Sequence, residues 1–586
     1  MMKRFSIACL LSALLLPLCA PGVSYTQTGV TRATASGWRE PVRAPHAMVA
    51  STSRLASEIG TEVMKRGGNA VDAAVAVAFA LAVVYPEAGN LGGGGFMLIR
   101  FRDGQTSAID YREVAPLAAT RDMYLDAKGE LIKGEGSSTV GYRAPGVPGT
   151  VAGLEMALKK YGSGKFNWRQ LIEPARRLAT QGFKLSHRIA GTLKDNARKL
   201  SLYEDSRKIF LNSGNHFKEG DVLRQPELAA TLARLQRFGA REFYKGLTAR
   251  LIAADMRRHQ GLITLEDLSR YTAKERLPLS SSYRGHQIIS MPPPSSGGVV
   301  LMQMLNILEG YDLGSMNPLA SEKYHLMIEA MRRAYADRAE YLGDADFASV
   351  PVATMISKDY ATRQRSTIKL NRASTSTEIR GGRPEENRTG STTHFSIADP
   401  QGNVVANTYT INDLYGSGVT AKGTGILLND EMDDFTARPG TPNLWGVIQS
   451  ERNSIVPGKR PLSSMTPTIV LRKDGSIWFA VGARGGARII NAVLQIIINI
   501  IDHGMNIQQA IDAPRIHHQW FPDVVRHEPY GLSTDTLRVL ESFGHKVEEA
   551  TSPRNLASAE GIMIEEGTGM RLGASDPRND GVPVGY

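Results

Sequence analysis

Residues 387–399 read NRTGSTTHFSIAD. Within three positions a run of Ser, Thr, Arg and Gly turns into a stretch that alternates like a buried strand. On an extended chain Thr393, Phe395 and Ile397 face one way, and Thr392, His394 and Ser396 the other. The first face is largely apolar and the second wholly polar. The next residues extend this to THFSIADPQGNVVANTY (393–409), a hairpin-like pair turning through Pro400 and Gly402. A second hairpin, TPTIVLRKDGSIWFAV (466–481), turns at Asp474–Gly475. Antiparallel strands therefore cluster after residue 392.

Upstream the chain reads as mostly helical. Residues 54–86 suggest two helices broken at Gly67–Gly68, the second apolar nearly all round and so expected to be buried. Residues 149–162 place Val151, Leu154 and Leu158 on one stripe and end at Lys159, Lys160 and Gly162, as a helix C-terminus prefers. Residues 321–343 repeat apolar side chains at helical spacing up to Gly343. Strands are expected at 96–110 and near 286–291, and 489–502 reads as a buried helix, too short to span a bilayer. This mixture favours a layered α/β sandwich over a doubly wound sheet. Between the two regions lies 362–391, dominated by Ser, Thr, Arg, Glu and Gly, which reads as an exposed, mobile loop.

That loop bears on the threonine pair. The bland reading of Thr392–Thr393 is β-propensity beside a hydrogen-bonded His394. The chemical reading starts from the weakness of a threonine hydroxyl as a nucleophile, which needs a base. A cut between Ser391 and Thr392 would free an α-amine, with a pKa near neutral, to take the hydroxyl proton. The cut could be self-made, the hydroxyl attacking the preceding carbonyl and the resulting ester hydrolysing.

Other motifs carry complementary chemistry. WFAVGARGGARIINAVLQ (478–495) runs from a strand through Gly482, Gly485 and Gly486 into a helix. Bare N–H groups at such a junction suit an oxyanion, a tight structural turn being the alternative. The spacing does not fit a dinucleotide loop. GNLGGGGFM (89–97) lacks the Lys-Ser/Thr of a P-loop and reads as close backbone packing. NDEMDDF (429–435) bunches Glu431, Asp433 and Asp434 without a calcium pattern, as either a solvated turn or a clasp for a cationic group. Arg112 in DYREVAP, with Ser463 and Ser464 in KRPLSSM, offers a carboxylate a bidentate fork plus neutral donors. His517 and His518, adjacent and so pointing apart on a strand, read as structural.

Lys3 and Arg4 precede an apolar run ending near Ala20, the layout of a secretory signal with cleavage expected before Tyr25; an uncleaved anchor helix is the alternative. Both cysteines, Cys9 and Cys19, lie inside this leader, so a mature chain would carry no disulfide, cysteine nucleophile or thiolate metal site. The net charge of +11 falls to +9 without Lys3 and Arg4, and the dispersed basic residues read as a solvated surface, not a nucleic-acid footprint.

Taken together, TTHFSIAD, TYTIN, GILLNDEMDDF, KRPLSSM, GGARII, APRIHHQ and the terminal GASDPR resemble the γ-glutamyltransferase (glutathione hydrolase) family, from about residue 40 to Tyr586. The resemblance implies an N-terminal nucleophile hydrolase, an αββα sandwich made as a precursor and self-cleaved. Its parts would be a signal peptide (1–24), a large subunit (25–391) ending in the processing loop, and a small subunit (392–586). It implies Thr392 as nucleophile and new N-terminus, with Thr410 assisting its hydroxyl. Arg112, Ser463 and Ser464 would hold the α-carboxylate of a γ-glutamyl group, and Asn412, Glu431 and Asp434 its α-ammonium. Gly485 and Gly486 would form the oxyanion hole, and Trp445 would gate the pocket on a lid at 439–461. No cofactor or metal is implied. The partners are small molecules: glutathione and other γ-glutamyl compounds, with water, amino acids or peptides as acceptors. Location is expected to be periplasmic or secreted. The sequence departs from the family at Ala483–Arg484, where Ser-Pro is common, and an added cation there could alter rate or acceptor preference. Two rival readings remain, a glutaryl (β-lactam side-chain) acylase on the same fold and an exported binding protein without catalysis.

Overall fold

The computed structural model describes residues 39–379, 392–552 and 556–586. The expected leader and the scission at Ser391 lie outside them, as does the end of the processing loop.

The alternating stretch at Thr393–Ala398 forms the expected hairpin with Val404–Thr410, in register Thr393↔Tyr409 to Ala398↔Val404. This pair sits at the centre of a seven-stranded antiparallel sheet. Its order is Val584–Gly585, Met48–Ser51, Thr393–Ala398, Val404–Thr410, Gly94–Arg100, Thr106–Asp110, Lys274–Arg276. A second seven-stranded sheet runs Val42–Ala44, Arg571–Ser575, Ser558–Ile564, Ile477–Arg484, Thr468–Leu471, His286–Ser290, Leu279–Tyr283. The two pack face to face through their central strands.

Helices cover the outer faces. Arg54–Lys65 and Ala70–Val84 pack on the first sheet, and every residue of the latter is buried. Asn69 caps that helix, accepting from Val71 N and Asp72 N at 3.0 Å each. Gly297–Leu308 and Arg488–Ile501 cover the second sheet, and Ser321–Tyr341 packs on Gly297–Leu308. The result is the expected αββα sandwich.

The period-2 pattern of Thr393–Ala398 now has a cause. Phe395 and Ile397 enter the apolar layer beneath the Ala70–Val84 helix. The polar face meets the other sheet, not water: His394 lies against Gly482, where a Cβ would collide with the imidazole ring. Burial lowers His394 to about 3, so it is neutral, bonded to Thr408 Oγ1 at 2.7 Å and Ser396 Oγ at 3.0 Å. The glycine run before Phe96 is a close-packing device. A Cβ on Gly92, Gly93 or Gly94 would strike the carbonyl oxygens of Leu427, Thr410 and Tyr111 respectively.

The described part of the polar stretch, 362–379, differs from the exposed loop expected of it. Its first residues finish the helix Lys358–Arg365, and a short helix follows at Ser376–Ile379. Ser376 is fully buried, its Oγ donating to Trp520 O at 2.5 Å and its N to Asp523 Oδ2 at 2.6 Å. Polar residues hold this segment by hydrogen bonds where apolar ones are lacking.

Candidate active site

The first-sheet hairpin places two hydroxyls together. Continuing its register one step beyond Thr393↔Tyr409 sets Thr392 opposite Thr410, and Thr392 Oγ1 lies 3.4 Å from Thr410 Oγ1. Thr410 is itself fixed from three sides. Its carbonyl accepts from Asn90 Nδ2 at 2.9 Å, Gly93 closes on the same carbonyl, and its Oγ1 accepts from Asn412 N at 2.8 Å. Both threonines are buried, at 4% and 3% exposure.

A cavity of about 20 Å³ opens at these hydroxyls, room for about one water. Nearly every expected site residue lines it: Arg112, Thr392, Thr410, Asn412, Glu431, Asp434, Trp445, Ser463, Ser464 and Gly486. Gly485 is the neighbour of Gly486 but does not line the cavity. Both glycines have positive φ, 130° and 61°, so the chain between the Ile477–Arg484 strand and the Arg488–Ile501 helix takes a path that side chains disfavour.

The acidic turn is buried, which excludes the solvated reading. Glu431–Asp434 forms one short 3₁₀ turn. Arg112, 1% exposed, bonds both Glu431 and Asp434, and its Nε donates to Pro461 O at 3.2 Å. The cationic fork and the acidic clasp, read as separate features of the sequence, therefore neutralise one another in this state. Burial pushes Glu431 and Asp434 up, against the opposing pull of Arg112. Asp433 turns away to Ser138 Oγ at 2.6 Å and Leu444 N at 2.8 Å, and burial raises it to about 6.

The segment 439–461 closes over the cavity. Trp445, 4% exposed, lies on Gly486, where a Cβ would come within 2.9 Å of the indole. Its Nε1 donates to Asn412 Oδ1 at 2.8 Å, and Gln519 Nε2 holds its carbonyl at 3.1 Å. Asn443 Nδ2 adds a bond to Asp434 Oδ1 at 3.1 Å. This segment is tied down by the same Asn412 and Asp434 that the family resemblance implies for ligand binding.

Arg484 does not stand loose beside the glycines. Its Nη1 donates to Tyr85 Oη at 2.5 Å and Glu87 Oε1 at 2.7 Å, and its Nε to Ser558 Oγ at 3.2 Å. Arg188 shares Glu87 Oε1 at 2.7 Å. The departure at Ala483–Arg484 thus anchors the strand end to residues after the Ala70–Val84 helix. His517 and His518 are buried and hydrogen-bonded, to Gln519 and Asp523 among others, which fits their structural reading. Among the cavity residues that sequence reasoning missed, Arg338 on the Ser321–Tyr341 helix is the charged one, and Asn443, Val447, Met465 and Ile489 are the others. Arg338 falls outside the apolar repeat read for that helix, and the packing of neighbouring helices around it brings it into the cavity wall.

A threonine opening a central strand of a two-sheet core, with helices on both outer faces, defines the N-terminal nucleophile hydrolase fold. The chain belongs to the Gamma-glutamyltranspeptidase family, whose model matches residues 56–586. It is 47% identical to the glutathione hydrolase proenzyme of Escherichia coli (strain K12), over 100% of this chain and 99% of that protein. Among solved structures it resembles a cephalosporin acylase from Bacillus halodurans with a TM-score of 0.83 and 27% identity, over 98% of this chain and 99% of that one. It also resembles the Helicobacter pylori γ-glutamyltranspeptidase with a TM-score of 0.55 and 47% identity, over 60% of this chain and 97% of that one.

Proposed function

We propose that this chain is an exported γ-glutamyltransferase and glutathione hydrolase, matured by its own cleavage between Ser391 and Thr392 into fragments 25–391 and 392–586. The observation that carries this reading is the convergence, on one cavity, of the Thr392–Thr410 hydroxyl pair with a cationic and an acidic group. A γ-glutamyl group ends in an α-ammonium and an α-carboxylate, so a site for it needs both signs of charge.

In this mechanism Thr392 Oγ1 attacks the γ-carbonyl carbon while its proton passes to the residue's own α-amine. Thr410 orients that hydroxyl. The backbone around Gly485 and Gly486 stabilises the tetrahedral oxyanion. The amide C–N bond breaks, the departing amine takes the proton, and a γ-glutamyl ester remains on Thr392. Water, or the amine of an amino acid or peptide, then attacks the ester and restores the hydroxyl. Arg112, Ser463 and Ser464 hold the α-carboxylate, and Asn412, Glu431 and Asp434 the α-ammonium. The cavity is too small for a γ-glutamyl group while Trp445 rests on Gly486, so Trp445 and its segment open for entry and close behind the ligand.

The likeness to a cephalosporin acylase supports a second reading, with a glutaryl group as substrate. Glutaryl lacks the ammonium, so nothing in it would engage Glu431 and Asp434 once a ligand carboxylate competes for Arg112, which disfavours it. The test is incubation of purified protein with glutathione, L-γ-glutamyl-4-nitroanilide and glutaryl-4-nitroanilide, with N-terminal sequencing of the smaller fragment. The expected result is a start at Thr392 and turnover of the two γ-glutamyl compounds. Preference for the glutaryl compound, or another start, would refute the reading.

A further inference from the structure

Most buried arginines in this protein pair with carboxylates. Arg112, Arg188, Arg333, Arg484, Arg515 and Arg578 each have one within 4 Å. Arg338, 2% exposed, has none among the described residues. Its Nε donates to Ser296 Oγ at 2.9 Å and its Nη2 to Ser464 Oγ at 3.2 Å. Its Nη1 has no hydrogen-bond partner among the described residues. The residue stands in the last turn of the Ser321–Tyr341 helix, whose dipole offers a cation some compensation. It also lines the cavity at Thr392. A buried guanidinium with no carboxylate in contact is costly, Asp434 acting on it only at a distance, and an anion arriving with a ligand would relieve that cost.

Arg112 is differently placed. Its Nε, Nη1 and Nη2 are already held by Pro461 O, Glu431 and Asp434. A carboxylate reaching Arg112 must share it with two others. At Arg338 a donor stands ready. Ser464, whose hydroxyl Arg338 holds, adjoins Ser463, and Ser296 ties the Arg338 side to Ser463 O through N and Oγ bonds of 2.8 and 2.6 Å.

We propose that Arg338 is a second guanidinium of the α-carboxylate site, donating from Nη1 to the ligand carboxylate while holding the Ser464 hydroxyl toward it. This rests on the proposed γ-glutamyl reading and adds a specificity-determining residue to it. Burial lowers Arg338 to about 10, which leaves it charged at neutral pH, as the role requires.

The experiment compares wild type, Arg338→Met and Arg338→Lys in two assays. One is kcat and KM on the 4-nitroanilides of L-γ-glutamate, glutarate and 4-aminobutyrate, the last lacking the α-carboxylate. The other is calorimetric binding of free glutamate, which needs no turnover. Arg338→Met should weaken glutamate binding about tenfold to a hundredfold, the range for a charged hydrogen bond. It should raise KM similarly for the two anilides that carry the carboxylate, and change the 4-aminobutyryl anilide less than twofold. Arg338→Lys should recover part of the loss. Wild type that binds glutamate through Arg338 yet leaves the γ-glutamyl anilide intact would support this site and refute the proposed activity alone. Equal losses on all three anilides, unchanged glutamate affinity in Arg338→Met, or no glutamate binding by wild type would each overturn the proposal.

Discussion

Removing the Arg484 side chain, as in Arg484→Met, tests how the glycine turn is held. Glu87 is fully buried, and burial alone would favour its neutral acid. Arg188 and Arg484 outweigh burial and hold it at about 2 instead of 4.5. A displacement of that size corresponds to about 3 kcal/mol of native stability at neutral pH. The folded value lies below the unfolded one, so this stability is complete above pH 4.5 and lost as pH falls through about 2. Arg484→Met leaves Glu87 bonded to Arg188 Nη1 at 2.7 Å and Thr192 Oγ1 at 2.9 Å. The charge is not orphaned, and the expected loss is about 1–2 kcal/mol. Glu87→Gln instead strips the carboxylate from two buried arginines and should cost about 3–5 kcal/mol. Urea unfolding at pH 7 and pH 3 of both variants, each built in an uncleaved Thr392→Ala chain, measures folding without fragment dissociation. In the otherwise native enzyme, Arg484 immediately precedes Gly485, so Arg484→Met should lower kcat about tenfold with little change in KM, the sign of a displaced oxyanion site. Equal destabilisation by the two variants, or none by Arg484→Met, would refute the reasoning.

Three further outcomes are expected. Asp434→Asn removes a carboxylate proposed to hold the ammonium, so kcat/KM for the γ-glutamyl anilide should fall about tenfold or more while the glutaryl anilide improves relative to it; steady-state kinetics on both decide this. Gly486→Ala combines a positive φ of 61° with a Cβ 2.9 Å from Trp445, and kcat should fall at least about a hundredfold, with circular dichroism showing a retained fold. Trp445→Phe deletes the indole donor to Asn412 Oδ1, so limited proteolysis of the ligand-free protein within 439–461 should become faster.

Much of this molecule is legible from side-chain periodicity. The Ala70–Val84 helix announces its burial by being apolar all round, and the Thr393–Thr410 hairpin by its alternation and its Pro400–Gly402 turn. Period alone could not show what the polar face of that hairpin meets. His394 is expected to be hydrogen-bonded, but its partners Ser396 and Thr408, and the opposing sheet they all face, cannot be read from period alone. The same blindness hides Arg338. On the Ser321–Tyr341 helix Lys323, Arg332, Arg333 and Asp337 are also buried: Arg332 and Arg333 pair with Glu329 of the same helix, while Lys323 and Asp337 bond Asn499 and Gln303 on neighbouring helices. The union of Arg112 with Glu431 and Asp434 joins residues more than three hundred positions apart, and no local pattern encodes it. The segment 362–379 was unreadable for the opposite reason. Its order comes from hydrogen bonds to Trp520 and Asp523, which leave no apolar signature.

The most direct measurement is made on Thr392→Ala, with the wild type and Thr392→Ser in parallel. Each is purified, resolved by denaturing electrophoresis and incubated with glutathione while free glutamate is followed. The alanine variant should stay one chain and release no glutamate, whereas serine, which keeps a hydroxyl, should still be cut and turn over slowly. Two fragments or glutamate release from the alanine variant would contradict the assignment of nucleophile, base and scission to this one residue.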